Sequence, residues 1–484
     1  MTFNKALGRA QFATLAIFIL IAAAIPTVFA KSGEMPLTVT KEARALFMQG
    51  LEKSENLEDV GTLFDQAVQK DPNFAFGYLY AGQNNVDFQK NLETAVRLSD
   101  KASPGEREWI LAAQSQANND PAGQLEHLQR LIKLYPRDKR VQTQLGLYYR
   151  GIGDEVTALR YFNESIRLDK NYAPSYNNIG YTNMALGKYP DAETAFKTYI
   201  KLIPNNPNPY DSYAEFLMNT GRFDESIRQY NTALSKDPTF VSSYRGIGND
   251  YGYKGDYGKS RETYQTMYEK SVTDAQRDQA LSSTVNSYIA EGNIEKALEV
   301  NERRRAKAES DGDWQTVFGL YNLAGGINLE SGNYDAAAKQ FAMAVKVSDD
   351  PSFAPALREN RRFNERSQQA RLLAATEDFD GAQAQLDAMQ TFLSTRQNVN
   401  QERNYNQAAG YVALKQKKYA KANEFFAKAN QTDPLVWSYQ AAAFAGAGDA
   451  KSSADLYKKI IDANQLDTVN FALARPRAVS MTRK

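Results

Sequence analysis

The 484-residue chain has no cysteine and one histidine, His127. Without cysteine there is no disulfide to hold the fold, no thiolate nucleophile and no thiolate metal site. A single imidazole cannot form a His-pair metal site, and no nucleophile is suggested beside it, so His127 reads as a plain helix-surface residue. Net charge is nearly absent too: 58 Lys and Arg stand against 57 Asp and Glu, a formal charge of +1. So even a balance gives no global field to steer the chain to nucleic acid or an anionic membrane. What is present, 42% hydrophobic and 24% charged residues, suits a globular chain.

One long apolar run exists, "ATLAIFILIAAAIPTVFA" from Ala13 to Ala30, preceded by Lys5 and Arg9, broken by Pro26 and closed by Val28-Phe29-Ala30. A charged start, an apolar middle, a helix breaker and a small-x-small end are the marks of a secretory signal peptide. Residues 1–30 are therefore expected to be a leader and 31–40 a linker. The alternative is an uncleaved anchor, since the run is nearly long enough to span a bilayer. Membrane contact is expected only through this segment, if it is retained. With no Cys at the junction, lipid attachment there is excluded. A long exported chain without cysteine fits a bacterial periplasmic or secreted protein.

Beyond the run, the sequence repeats itself. A thirty-four-residue unit recurs four times without insertion, starting at Lys139, Ala173, Pro207 and Val241. The eighth place of each unit holds Gly146, Gly180, Ala214 and Gly248; the fifteenth holds Gly153, Gly187, Gly221 and Gly255. The twenty-fourth is aromatic throughout: Phe162, Phe196, Tyr230 and Tyr264. Small residues at the eighth place let two helices cross closely, and the aromatic fills the space they leave. Glycine at the fifteenth supplies the turn between them. Pro204 and Pro238 end the second helix.

This pattern resembles the tetratricopeptide repeat, an antiparallel helix pair, and in looser form the resemblance runs over most of the chain. Phe64, Ala67 and Pro72 close an early unit; Tyr321, Gly325, Gly332, Ala337 and Phe341 mark a late one; Gly410, Ala422, Phe426 and Pro434 another. The resemblance implies an all-α fold, a right-handed α-α superhelix of about twelve helix pairs stacked neighbour on neighbour. Residues 41–272 form the regular array and 273–462 a divergent one. The period breaks near Ser271–Gln279 and Asp350–Arg362, where either longer helices or joints are expected. Residues 463–484 are expected to be a capping segment and a loose basic tail.

Chemistry is sought and mostly not found. "GNDYGYKGDYGKS" ends like a phosphate-binding loop, but Gly252 stands one residue too far from Gly258 and no strand precedes it. "SDGDW" at Ser310–Trp314 lacks the further ligands of a calcium loop and reads as a polar turn. The arginines of "NERRRAKAE" from Asn301 and "RENRRFNER" from Arg358 have Glu302, Glu309, Glu359 and Glu365 within helical reach, as on a solvated helix face. No catalytic, cofactor or metal residue is proposed, an enzyme is not expected, and neither is a nucleic-acid partner.

What remains is the groove. The resemblance implies that first helices line a concave surface, which places Asn177 and Tyr181 there in one unit, Asn208, Asp211 and Glu215 in the next, then Arg245, Asn249 and Tyr253. Amide, carboxylate, guanidinium and aromatic groups together suit an extended peptide. The family's C-terminal carboxylate clamp is not reproduced: its places hold Thr143, Leu147, Asn178, Asn208 and Ser212, of which only Asn178 agrees. The expected function is an exported, non-catalytic scaffold or adaptor for a protein or peptide partner. The alternative is a component of an envelope assembly, for polysaccharide export or secretion, that binds glycan or a membrane partner.

Overall fold

In a computed structural model, residues 33–82, 88–350, 353–394, 398–464 and 468–482 are described. The expected leader, 1–30, lies outside them. Among the described residues there are 24 α-helices, two short 3-10 turns and no strand, and no helix is long and apolar enough to cross a membrane. The fold is all-α and built of repeated helix pairs. The chain divides into two compact units, Met1–Lys188 and Tyr189–Lys484. That division falls inside the stretch expected to form the regular array, not near residue 272.

The first unit holds α1 (Lys41–Glu55), α2 (Leu63–Lys70), α3 (Phe88–Leu98) and α4 (Pro104–Ala117). It continues with α5 (Pro121–Leu134), α6 (Lys139–Gly151), α7 (Glu155–Leu168) and α8 (Ala173–Ala185). The second opens with α9 (Tyr189–Leu202), α10 (Asn208–Asn219), α11 (Phe223–Lys236), α12 (Val241–Tyr253) and α13 (Tyr257–Lys270). Then come α14 (Asp274–Glu291), α15 (Ile294–Ser310), α16 (Trp314–Glu330), α17 (Tyr334–Ser348), α18 (Pro355–Ala375) and α19 (Phe379–Leu393). The last are α20 (Val399–Lys415), α21 (Tyr419–Phe426), α22 (Pro434–Gly446), α23 (Ala450–Asp462) and α24 (Val469–Thr482). Counted along the chain they make twelve pairs, with the 3-10 turn Phe76–Leu79 standing as first helix of the second pair, and α24 left over.

Why these residues form pairs is visible at the contact. A Cβ added to Gly146 would stand 2.4 Å from Phe162 Cε1, one on Gly248 2.2 Å from Tyr264 Cε1, and one on Gly410 2.6 Å from Phe426 Cε1. All three rings are buried. The second helix can therefore lay its ring on bare backbone, which is the reason small and aromatic residues recur together. The turn glycines hold positive φ, +81° at Gly153 and +82° at Gly255. The residue after each, Asp154 or Asp256, caps the second helix by accepting a backbone N–H three residues on. At the two breaks in period the helices lengthen: α14 runs 18 residues from a Thr273–Gln276 capping box, and α18 runs 21.

Two segments depart from expectation. Residues 33–40 are no free linker: Met35 is buried, its N–H donates to Asp138 Oδ2 at 2.8 Å, and the Thr38 N–H reaches the Glu106 carboxylate at 3.1 Å. Two buried helix-start carboxylates thus tie an extended strap across α4 and α6. Residues 469–482 are no loose tail either but the helix α24, which buries Phe471, Ala472, Ala474 and Ala478 against α14, α22 and α23 despite Pro476 inside it. This apolar stripe outweighs the hydrogen bond that the proline removes. The second unit is consequently not held by neighbours alone.

One buried cluster fastens α24. Glu330 at the end of α16 accepts from Arg371 of α18 at 2.6 Å and from the Tyr439 hydroxyl of α22, while Arg477 of α24 approaches its other oxygen at 3.5 Å. Four helices meet on one carboxylate. The arginine clusters of the divergent half behave as expected in part. Arg305 pairs with Glu302 and Glu309, and Arg362 with Asp349. Glu365 instead accepts from the Ser348 hydroxyl at 2.5 Å. His127 is half-buried, its Nδ1 2.7 Å from Glu108 Oε2, and so belongs to a side-chain contact between α4 and α5 more than to open surface.

Candidate functional site

Five of the eight residues expected in the groove come together. Asp211, Glu215, Arg245, Asn249 and Tyr253 line one cavity of about 180 Å³, with Met218, Asn219, Tyr230, Ser242, Gly246 and Asn464. Its walls are the first helices α10 and α12. Places one helical turn apart share a face, so Asp211 with Glu215 on α10, and Arg245 with Asn249 and Tyr253 on α12, project together. Gly246 opens the floor: a Cβ there would lie 2.1 Å from Tyr230 Cζ, so the bare backbone lets the Tyr230 ring reach between the helices.

Each polar group is held differently. Asp211 Oδ1 accepts from Ser243 Oγ at 2.6 Å, and burial raises its carboxyl to about 6 against the opposing pull of that hydrogen bond and of Arg245. Asn249 is 5% exposed and accepts from the Tyr264 hydroxyl at 2.7 Å, which fixes its amide. Asn208 accepts from Tyr199 at 3.1 Å and from Ser212 at 3.3 Å and does not line the cavity. Arg245 is half-buried and makes no hydrogen bond or ion pair among the described residues. Asn177 and Tyr181 belong to the first unit, both half-buried, and the Asn177 Oδ1 has no hydrogen-bond partner.

Tyr253 was expected to offer an open aromatic surface and does not. It is 6% exposed, stacked on Phe223 at 5.4 Å and met edge-on by Phe471 of α24 at 6.2 Å. Arg475 donates to its carbonyl at 3.4 Å, and Asn464 donates to the Met218 carbonyl at 3.2 Å from 246 residues away. Sequence reasoning missed these C-terminal groups. The signal that could have found them is the spacing of Phe471, Ala474 and Ala478 on one helical face.

A second cavity of about 490 Å³ adjoins Arg245. It is lined by Ala275, Gln276, Asp278, Gln279, Ser282 and Ser283 of α14 and by Arg304 of α15. Arg304 donates to both oxygens of Asp278, from Nε at 2.8 Å and from Nη2 at 2.9 Å.

The tetratricopeptide repeat model matches residues 173–206, the unit that starts at Ala173 in the sequence. The chain carries tetratricopeptide repeats. Similar stretches occur in an Arabidopsis thaliana CTR9 homolog, 28% identical over 26% of this chain and 13% of that one. Another lies in the Saccharomyces cerevisiae mitochondrial import receptor subunit TOM70, 26% identical over 27% of this chain and 26% of that one. The chain thus spans about a quarter or less of these curated relatives. Among solved structures, PilW, a type IV pilus biogenesis factor, aligns at 15% identity with a TM-score of 0.36, covering 44% of this chain and 97% of its own.

Proposed function

We propose that this repeat protein is a non-catalytic scaffold, exported in a bacterium, that binds a protein or peptide segment along the first helices of its second unit. The observation that carries this reading is the cavity between α10 and α12. It gathers acceptors on Asp211 and Glu215 with an unpaired guanidinium on Arg245, on helices too well packed to collapse into it. A peptide backbone offers donors and acceptors in alternation, and such a wall answers both. Partner binding by relatives, as in an import receptor, supports the class of activity. Export rests on the charged start and apolar run before residue 31.

Site-specific photocrosslinking tests it. A photoreactive residue in place of Ser242, at the cavity mouth, is expected to capture a discrete protein from envelope extract, with capture lost on Arg245→Ala. The same label in place of Asn231, exposed on the second helix α11, should not capture it. Equal capture at both places would refute the reading. Capture of glycan and no protein would favour the envelope-assembly alternative.

A further inference from the structure

The cavity beside α14 holds two guanidiniums that the fold does not use up. Arg304 is 9% exposed at its side chain, and its Nη1 is buried without a hydrogen-bond partner, although Asp278 takes Nε and Nη2. Arg245 stands on the opposite wall with no ion pair among the described residues. Between them lie the first turns of α14. The helix dipole there favours negative charge, and the side chains of Gln276, Gln279, Ser282 and Ser283 add neutral donors. A buried guanidinium nitrogen with nothing to donate to is costly, and an acceptor entering this cavity would relieve that cost.

We propose that this cavity binds a carboxylate of the partner segment, supplied by an acidic side chain or by the chain end; this rests on the peptide-binding reading above. Charge selects the group. Arg245 and Arg304 against Asp278 leave one positive charge, which a singly charged carboxylate neutralises. Asp274 beside it is already engaged with Arg277 at 2.6 Å. A carboxylate is also the planar acceptor that two guanidiniums grip best. On the far side of Arg245, Asp211 and Glu215 oppose a second acid, so the segment is expected to place its carboxylate toward α14 and its donors toward α10.

Fluorescence anisotropy on the full chain tests this with three labelled probes: amidated pentaglutamate, amidated pentaglutamine and pentaalanine with a free C-terminus. Pentaglutamate or free-ended pentaalanine is expected to bind and pentaglutamine not, the two carboxylate probes separating a side-chain source from a chain end. Arg245→Ala should weaken that binding at least tenfold, and raised salt should weaken it further. Arg304→Gln should do the same; if it unfolds the chain, the half-buried Arg245 carries the test. Binding that ignores charge, or that survives Arg245→Ala, overturns the proposal. A neutral peptide selected by display and lost on Ser242→Trp, with no carboxylate probe bound, would sink the carboxylate site and leave the groove. No binder of any composition sinks both.

Discussion

Two adjacent glycines in α16 separate the packing account from helix propensity. A Cβ on Gly325 would stand 2.4 Å from Phe341 Cε1, 2.5 Å from Cδ1 and 2.9 Å from Cζ, and Phe341 is 2% exposed. A Cβ on Gly326 would meet nothing within 4 Å. In a helix, alanine gains about 1 kcal/mol over glycine wherever space allows, so Gly326→Ala should stabilise by about that much. At Gly325 the same gain is opposed by overpacking, because carbons rest at about 3.5–4 Å and the ring must retreat by about 1 Å. Overpacking of that size costs about 1–3 kcal/mol. Gly325→Ala should thus fall below Gly326→Ala by about 1–3 kcal/mol, although the two differ by one position. Urea unfolding midpoints measure the gap; hydrogen exchange of α16 and α17 amides localises it, since arrays need not unfold in one step. Adding Phe341→Leu to Gly325→Ala should recover part of the loss. Equal stabilisation by both alanines would refute the claim that bare backbone under an aromatic ring defines the pair.

Three further outcomes follow from single groups. Glu330→Gln leaves Arg371, 8% exposed at its side chain, without its buried countercharge, and should cost about 3–5 kcal/mol in denaturant unfolding while lowering exchange protection in α24; a loss under about 1 kcal/mol would show that the cluster does not fasten that helix. Asp250 is fully buried, and burial lifts its carboxyl to about 8 against the opposing pull of the nearby Ser226 hydroxyl and of Lys254. The folded state therefore keeps a proton that the unfolded chain sheds near pH 4, so this group's effect on stability turns increasingly unfavourable from pH 4 through pH 8 and is level above. Asp250→Asn should remove that slope, stabilising more at pH 9 than at pH 5 in parallel melts; a pH-independent effect would contradict the assignment. Lys417 occupies the turn place at φ +59°, where other units carry glycine, and Lys417→Gly should gain about 1 kcal/mol in thermal unfolding, whereas a loss would mean that the side chain is needed there.

What the sequence revealed and what it hid divide along the distance between partners in the chain. Gly146 and Phe162, or Gly248 and Tyr264, lie within one repeat, so their contact is written into a period that can be counted. The turn glycines and the lengthened helices α14 and α18 are equally local. Asp211, Glu215, Arg245, Asn249 and Tyr253 could be grouped because helical spacing and the repeat length together fix which side chains share a face. Nothing local says that Phe471 meets Tyr253, or that Asn464 closes on Met218. Pro476 and the run of arginines around it read as the end of structure, while the apolar stripe that decides the matter is only three or four residues wide. Nor could the strap at residues 33–40 be read, since its partners are the carboxylates of Glu106 and Asp138, far along the chain. Arg304 looked spent on a solvated face; only its geometry against Asp278 shows one nitrogen left over.

The helix that closes on Tyr253 changes what kind of binding surface the second unit offers. In an array stabilised by neighbours alone, end helices fray and a groove must be ordered as its ligand arrives. Here α24 bonds across from α22 and α14 to the carbonyl of Tyr253, so opening α12 means breaking contacts with residues more than two hundred positions away. That linkage removes Tyr253 as a stacking platform and leaves the polar remainder of the wall, the half-buried Asp211, Glu215 and Arg245, to meet a partner. It also holds that remainder in place before any partner comes, so less ordering entropy is lost on binding. Shortening the chain before α24 should therefore bare an aromatic and loosen the polar site together, and the loosening should lower affinity for a charged segment because more ordering entropy is then lost on binding.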